Sequence, residues 1–299
     1  MMLPEWYPIY KEKIEQSMQQ YLNTYLQWLQ NASFPLQNFW EILQYSVVWG
    51  KRLRAILAIE FYLTLTGKKI EEIGKSDDIM RYALALEVIH SFSLIHDDLP
   101  CMDNDEYRRW QLTVWKKYGE YQAVLAGDTL HSLAFELMSE ISNASHSQKL
   151  SKILSHAIGV YWMAWGQIED LYFEGKISDV TEEILQSLHS KKTWQIIIAS
   201  ILGALVLADR EDLIQIYKQF WENLWLAFQI KDDLLDVEWT FEETWKSVGG
   251  EKKGFVYILW IENSKNQLDR LIKNCINDIA PLQSEKLNFL VEYVRQRHK

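Results

Sequence analysis

The sequence is poor in cysteine, proline, glycine and basic residues, and each shortage narrows what the protein can be. Two cysteines, Cys101 and Cys275, do not make a disulfide framework, and they indicate a reducing, cytoplasmic setting. A formal net charge of −10 argues against a nucleic-acid partner, because such proteins present a basic surface. No secretory signal is expected at the N-terminus. The longest uncharged apolar stretch, from about Trp194 to Ala208, is too short for stable membrane insertion.

Glycine is outnumbered by tryptophan. The chain has 12 glycines and 14 tryptophans among 299 residues. Average usage of about 7% predicts roughly 21 glycines in a chain of this length. This inversion is abnormal for a soluble globular protein.

Five prolines leave long stretches in which apolar residues recur at helical spacing, while strand-like alternation is scarce. The pattern predicts an all-α protein with one domain over residues 1–299 and roughly ten helices. The expected helices span 5–30, 36–48, 51–66, 77–98, 119–142, 147–174, 181–207, 210–237, 262–278 and 283–297.

Two clusters of aspartates interrupt these apolar helices. The first contains Asp97, Asp98 and Asp103, and the second contains Asp232, Asp233 and Asp236. Carboxylates among Leu, Ile and Phe carry a desolvation penalty that a divalent cation would remove. A few oxygen ligands with room for water and phosphate suit Mg²⁺. Either cluster alone also fits a solvated acidic helix end, but the repetition favours metal binding.

The first cluster has two extra residues before its last acid. Because Pro100 disfavours helical geometry at Leu99, a helix should end there. A short bulge over Pro100 and Cys101 should then bring Asp103 back toward Asp97.

Basic residues occur in tight groups, which is unusual in an acidic chain. The groups are Lys51, Arg52 and Arg54; Arg108 and Arg109; Lys191 and Lys192; Lys252 and Lys253. Arg and Lys bind phosphate. Each group alone also fits a solvated face, but together with the acidic clusters they indicate a cavity for diphosphates.

At these residues the sequence resembles the trans-isoprenyl diphosphate synthases of the polyprenyl synthetase type, from about residue 45 to the C-terminus. The matching segments are Gly50 to Arg54, Ser93 to Asp103, Arg108-Arg109, Leu125 to Asp128, Gly166-Gln167, Lys192-Thr193 and Phe228 to Asp236. The paired aspartate motifs at this separation are very specific.

The resemblance implies a bundle around a central cavity and three Mg²⁺ ions. Asp97 and Asp103 would bind two ions with Asp98 in support, and Asp232 would bind the third with Asp233 and Asp236 nearby. By the same resemblance, Arg108, Lys192 and Lys246 would contact the allylic diphosphate, and Lys51, Arg54, His90 and Arg109 would bind isopentenyl diphosphate. Thr193 and Gln229 would line the reacting end.

The resemblance also implies a homodimer and a prenyltransferase that ionises the allylic C–O bond.

Phe92 lies five residues before Asp97, about one and a half helical turns away. Its bulk is expected to close the product tunnel and to favour farnesyl diphosphate, although ordinary core packing also explains it. The alternatives are geranylgeranyl diphosphate synthesis, a non-catalytic partner subunit, and a metal phosphohydrolase that uses His96 and Asp97.

Most departures from the family pattern are tryptophans where the family has glycine. They are Trp49, Trp110, Trp162, Trp165, Trp194, Trp221, Trp225, Trp239, Trp245 and Trp260. Overpacking costs about 1–3 kcal/mol per buried site, so ten tolerated exchanges would rival the whole stability of a protein. We hypothesise that the source reads UGA as glycine and that these UGA codons were translated as tryptophan. The alternative is a truly tryptophan-rich homologue.

The gene tests this hypothesis directly. We expect UGA at these ten positions and UGG at Trp6, Trp28, Trp40 and Trp115, which have no glycine counterpart. Sequencing the gene decides it, and UGG codons at Trp49, Trp110 and Trp194 would contradict it.

Overall fold

A computed structural model describes residues 3–25, 27, 34–48, 50–108, 110–161, 163–173, 194–238, 256 and 260–296. Within these residues the secondary structure is almost entirely helical, which confirms the prediction of an all-α protein. In the same residues, no helix combines the length and the apolar character that crossing a membrane requires. The chain divides into two compact units.

The first unit comprises Met2–Ile59 and Lys68–Ser151. Its helices are α1 (Trp6–Tyr25), α2 (Phe34–Val47), the start of α3 (Leu53–Thr66), α4 (Asp78–Asp97), α5 (Val114–Tyr118), α6 (Glu120–Ser139) and the start of α7 (Ala144–Ile158). A short 3₁₀ helix spans Ile70–Glu72. An antiparallel hairpin pairs β1 (Tyr107–Arg108) with β2 (Gln111–Leu112).

The second unit comprises Glu60–Gly67 and Lys152–Lys299. Besides the ends of α3 and α7, it contains α8 (Met163–Phe173), α9 (Trp194–Leu207), α10 (Lys218–Glu238), α11 (Ile261–Ile279) and α12 (Glu285–Gln296). Short 3₁₀ helices span Glu211–Leu213 and Ala280–Leu282. The prediction of a single domain stays a prediction.

The core of the first unit lies between α4 and α6. Helix α4 is apolar on nearly all sides, and twelve of its twenty residues are buried. Gly127 of α6 lies against α4, and an added Cβ there would lie 2.2 Å from Nε2 of His96. Any larger residue at Gly127 would therefore require the His96 side chain to move.

The core of the second unit lies where α11 packs on α10 and α12. Helix α11 presents one apolar face, and Leu268, Leu271 and Ile272 are buried there. The thiol of Cys275 is buried on the same face, and burial raises its pKa.

Several predicted boundaries are wrong. The single helix expected over 147–174 is two helices, because α7 ends at Ile158 and α8 begins at Met163. The helix expected over 210–237 begins at Lys218, after a separate 3₁₀ turn. The helix expected over 119–142 ends at Ser139, and the hairpin before it was not predicted. The expected helical residues 181–193 and most of the irregular stretch 238–256 lie outside the described residues.

Two tryptophans adopt backbone conformations that suit glycine. Trp110 has a φ of 68° in the two-residue loop between β1 and β2, a place where glycine is strongly preferred. Trp260 precedes α11 with φ 66° and ψ 154°, a region populated essentially by glycine. Both side chains are exposed, at 60% and 76%, so no burial compensates for the strain. These two positions support the glycine hypothesis. Trp221 is buried within α10, and its conformation does not decide the matter.

We therefore expect Trp110→Gly and Trp260→Gly each to raise the free energy of unfolding by about 1–2 kcal/mol, since the strain of positive φ is relieved. Urea denaturation of the purified variants measures this. The matched control is Trp115→Gly, which removes an indole hydrogen bond to the carbonyl of Asp105 and places glycine within α5. That variant should lose about 2 kcal/mol. Destabilisation by Trp110→Gly and Trp260→Gly would contradict the hypothesis.

Candidate active site

The loop after α4 brings Asp103 back to Asp97, as the sequence predicts. The backbone N–H of Asp103 donates to the carbonyl of Asp97 at 2.9 Å, and Met102 and Asn104 both donate to the carbonyl of Leu99. Asn104 takes a positive φ of 53°, a conformation that asparagine tolerates. The helix ends at Asp97, and the loop holds two carboxylate residues side by side.

Asp98 is buried beside this loop, with only 4% of its surface exposed. Its Oδ1 accepts hydrogen bonds from Nε of Arg108 at 2.6 Å and from an Nη atom of Arg108 at 2.5 Å. Arg108 also reaches Asp105 at 3.4 Å. Burial acts to lower the pKa of Arg108, but the Asp98, Asp105 and Asp97 carboxylates outweigh it, so the pKa is raised and the guanidinium stays charged.

Lys51 and Arg54 flank the start of α3. Lys51 is exposed, and its carbonyl accepts a hydrogen bond from the hydroxyl of Tyr7. Arg54 is half-buried in the first turn of the helix. The two cations therefore lie on either side of Arg52 in the sequence, at the N-terminus of α3, and a helix N-terminus favours anionic ligands.

The buried residue that fixes this turn is Arg52, whose function the sequence did not reveal. Arg52 has a positive φ of 55° and donates to Glu87 at 3.3 Å, with both side chains only 3% exposed. The other oxygen of Glu87 accepts the backbone N–H of Ala55 at 3.2 Å, so Glu87 also caps α3. In the sequence, Glu87 is a single acidic residue among the apolar residues of α4. This pattern could have identified it as a residue with a buried partner.

His90 and Phe92 lie on α4 before the aspartates, and both are half-buried. The ring of Phe92 packs edge-on against His96 at 4.9 Å and against His131 of α6 at 5.1 Å. His131 in turn contacts Phe135 at 5.3 Å. Nε2–H of His96 donates to the carbonyl of Val124 at 3.1 Å. The face of α4 that carries Phe92 therefore packs on α6.

The second acidic cluster lies in α10 of the second unit. Gln229 donates to Asp233 at 2.8 Å, one helical turn further along. Asp232 is half-buried, while Asp236 belongs to the same helix but its side chain lies outside the description. The sites predicted at Arg109, Lys192, Thr193 and Lys246 also lie outside the described residues.

The donors at Asp97 and Asp103 fit Mg²⁺. In the described part of the chain, no three His, Cys, Asp or Glu side chains already form a ready metal site. Mg²⁺ does not need one, since it binds through one or two carboxylates and keeps waters and substrate phosphates as further ligands. The backbone contact between Asp103 and Asp97 brings together two such carboxylate residues.

Known proteins with similar sequences and folds show the family. A sequence model described as "Polyprenyl synthetase" matches residues 37–294. The chain is 36% identical to the farnesyl diphosphate synthase of Micrococcus luteus, over 93% of this chain and 96% of that protein. It is also 36% identical to the geranylgeranyl diphosphate synthase of Cyanophora paradoxa, over 83% and 84%.

A geranyltransferase from Helicobacter pylori has the same fold, with a TM-score of 0.79, 31% identity, and coverage of 98% of this chain and 99% of that one. A second structure of that enzyme, complexed with magnesium and isoprenyl diphosphate, gives a TM-score of 0.76. These matches confirm the predicted family and the predicted prenyltransferase class. The chain belongs to the polyprenyl synthetase family.

Proposed function

We propose that the protein condenses isopentenyl diphosphate head-to-tail (1′-4) first with dimethylallyl diphosphate and then with the geranyl diphosphate so formed. Each step releases one diphosphate, and the final product is farnesyl diphosphate. The observation that carries this proposal is the loop after α4. There the contact between Asp103 and Asp97 groups two carboxylate residues, and the buried pair of Asp98 and Arg108 adds a permanently charged guanidinium. An allylic diphosphate bound with Mg²⁺ needs carboxylates that hold the metal ion. It also needs a cationic side chain nearby that binds the phosphate groups.

Asp97, Asp103 and Asp232 would hold three Mg²⁺ ions, with Asp98 and Asp236 in support. When bound, the ions supply positive charge that stabilises the departing diphosphate. Asp98 would act indirectly, since its carboxylate is occupied by Arg108.

The chain's own cations divide between the two substrates. Arg108, Lys192 and Lys246 would neutralise the diphosphate that leaves when the allylic C–O bond ionises. Lys51, Arg54, His90 and Arg109 would hold isopentenyl diphosphate, and the fixed turn around Arg52 supports this role for Lys51 and Arg54. The isopentenyl double bond then attacks the allylic carbocation, and the proton that is lost passes to the departing diphosphate. Thr193 and Gln229 would line this end, where apolar walls keep water from the cation.

The product length is part of the proposal, because relatives that make farnesyl and geranylgeranyl products are equally similar to this chain. Phe92 supports the shorter product. Its ring is bulky, lies one and a half turns before Asp97 and is fixed in place by His96 and His131. A fixed aromatic ring is suited to stop a growing chain.

We also propose a homodimer in the cytoplasm. Helix α6 exposes the apolar side chains of Tyr121, Val124 and Leu125, and α8 exposes those of Ile168 and Tyr172. Rows of exposed apolar side chains are typical of subunit interfaces. Both cysteines are free, which suits a reducing compartment.

The principal alternative is a non-catalytic subunit of a heteromeric synthase. Loss of the aspartates would be its usual sign, and both clusters are intact in this sequence. A phosphohydrolase would leave the second cluster without a role.

The first prediction concerns activity. Incubation with labelled isopentenyl diphosphate, dimethylallyl diphosphate and Mg²⁺ should give farnesyl diphosphate, and a chelator should abolish the reaction until Mg²⁺ is restored. Asp97→Asn and Asp232→Asn should each lower kcat/KM about 100-fold or more, because each removes a ligand that stabilises leaving-group charge.

The matched control is Asp269→Asn on α11, which alters an exposed ion pair with Arg295 and should leave kcat/KM unchanged. Release of orthophosphate without chain elongation would favour the phosphohydrolase. Absence of any turnover, with the fold intact and the glycine positions restored, would favour the partner subunit.

The second prediction concerns product length. Phe92→Ala should shift the products toward geranylgeranyl diphosphate and longer chains, because the blocking ring is removed. Chromatography of the dephosphorylated products measures the shift. Phe135→Ala is the control, since it removes another ring of the same aromatic row further from the aspartates and should leave the product length unchanged. An unchanged product from Phe92→Ala would show that Phe92 is ordinary packing.

A further inference from the structure

The carbonyl of Asp105 lies near the end of the loop that follows the first aspartate cluster, two residues before β1. It accepts two side-chain hydrogen bonds, from Nε1–H of Trp115 at 2.8 Å and from the hydroxyl of Thr113 at 2.9 Å. A carbonyl oxygen has two lone pairs, so both are used. Thr113 is itself buried, and its backbone N–H donates to the carbonyl of Glu106 at 3.0 Å. Trp115 of α5, together with Thr113 just before that helix, thereby fixes the backbone of the loop at Asp105.

The side chain of Asp105 connects this fixed backbone to Arg108, the cation of the candidate site. Its carboxylate receives a hydrogen bond from Nη2 of Arg108 at 3.4 Å, and Asp98 binds Nε and the same Nη2 of that guanidinium. The same residue, Asp105, is therefore held through its backbone by α5 and holds Arg108 through its side chain. A shift of the Asp105 backbone would displace the guanidinium.

We propose that Trp115 and Thr113 are positioning residues that act through Asp105 to hold Arg108 and the Asp97–Asp103 loop in the geometry that binds the allylic diphosphate. This inference rests on the proposed function. Neither residue is required to touch the substrate. A loop that is ordered before binding loses less conformational entropy when the ligand arrives, so the two bonds strengthen binding of the diphosphate.

The identity of residue 115 matters because the bond comes from the indole N–H. Phenylalanine would keep most of the ring but could not donate. Glycine would lose both the ring and the bond. Residue 115 is therefore a tryptophan with a chemical function, unlike Trp110 and Trp260, whose backbone angles suit glycine.

The test compares Trp115→Phe, Thr113→Val and the double variant with the unmodified chain. Each single variant should raise KM for the allylic diphosphate about 2- to 10-fold, the range that one neutral hydrogen bond spans, and the double variant should raise it further. The value of kcat should change less. The dissociation constant of inorganic diphosphate with Mg²⁺, measured by calorimetry, should rise by a similar factor.

Three controls separate positioning from general loosening of the fold. KM for isopentenyl diphosphate should rise less than KM for the allylic diphosphate, because Arg109 is the only one of its four proposed ligands that adjoins Arg108, and the turn with Lys51 and Arg54 is fixed by the separate contacts around Arg52. Thr113→Ser keeps the hydroxyl and should restore the unmodified values. Ser17→Ala removes a buried hydroxyl that donates to the carbonyl of Lys13 at 2.8 Å, away from this loop, and should alter neither constant.

Unchanged KM and diphosphate affinity in folded Trp115→Phe and Thr113→Val would overturn the inference, as would an equal rise in KM for isopentenyl diphosphate. Failure of the proposed function is distinguishable, because then the unmodified chain itself would not elongate. In that case the calorimetric comparison of inorganic diphosphate binding still decides whether Trp115 and Thr113 position Arg108.

Discussion

Helix α4 is buried along most of its length, and each carboxylate that it carries into the interior must be compensated. Glu87 is compensated by Arg52, and Asp98, at the end of the helix, is compensated by Arg108. Removing one partner of a buried pair typically costs about 3–5 kcal/mol, because the other charge is left unpaired. The arginines are therefore held by the same charges that they neutralise. Both pairs also fix residues of the proposed site, since one holds the turn with Lys51 and the other holds the Arg108 guanidinium close to the Asp97–Asp103 loop.

This arrangement explains why the site is built from loops and still has a defined geometry. The turn before α3 takes a left-handed conformation at Arg52, and the turn after α4 takes one at Asn104. Such conformations persist only where surrounding contacts determine them. Here the contacts are the cap that Glu87 gives to Ala55 and the bonds that converge on Leu99.

Much of the fold and part of the site could be predicted from the sequence. Pro100 correctly placed the end of α4 and the return of Asp103, because the steric effect of proline is local. The importance of Arg52 and Trp115 could not be read in this way. Their partners, Glu87 and Asp105, lie 35 and 10 residues away and reach them through tertiary packing or a hairpin turn. The end of α7 at Ile158 could not be predicted, because the apolar periodicity of the sequence continues past it into α8.

The dihedral angles of Trp110 and Trp260 have a consequence beyond this chain. A positive φ depends on the path of the backbone, whereas the amino acid assigned to that position depends on how its codon is decoded. Where a bulky, exposed side chain stands on a left-handed backbone, the decoding of its codon is therefore worth checking. Across a genome read with the wrong table, tryptophan would accumulate in left-handed turns and before helices, where its ring has nothing to pack against. Backbone geometry could then identify the reassigned codon without any knowledge of the transfer RNAs.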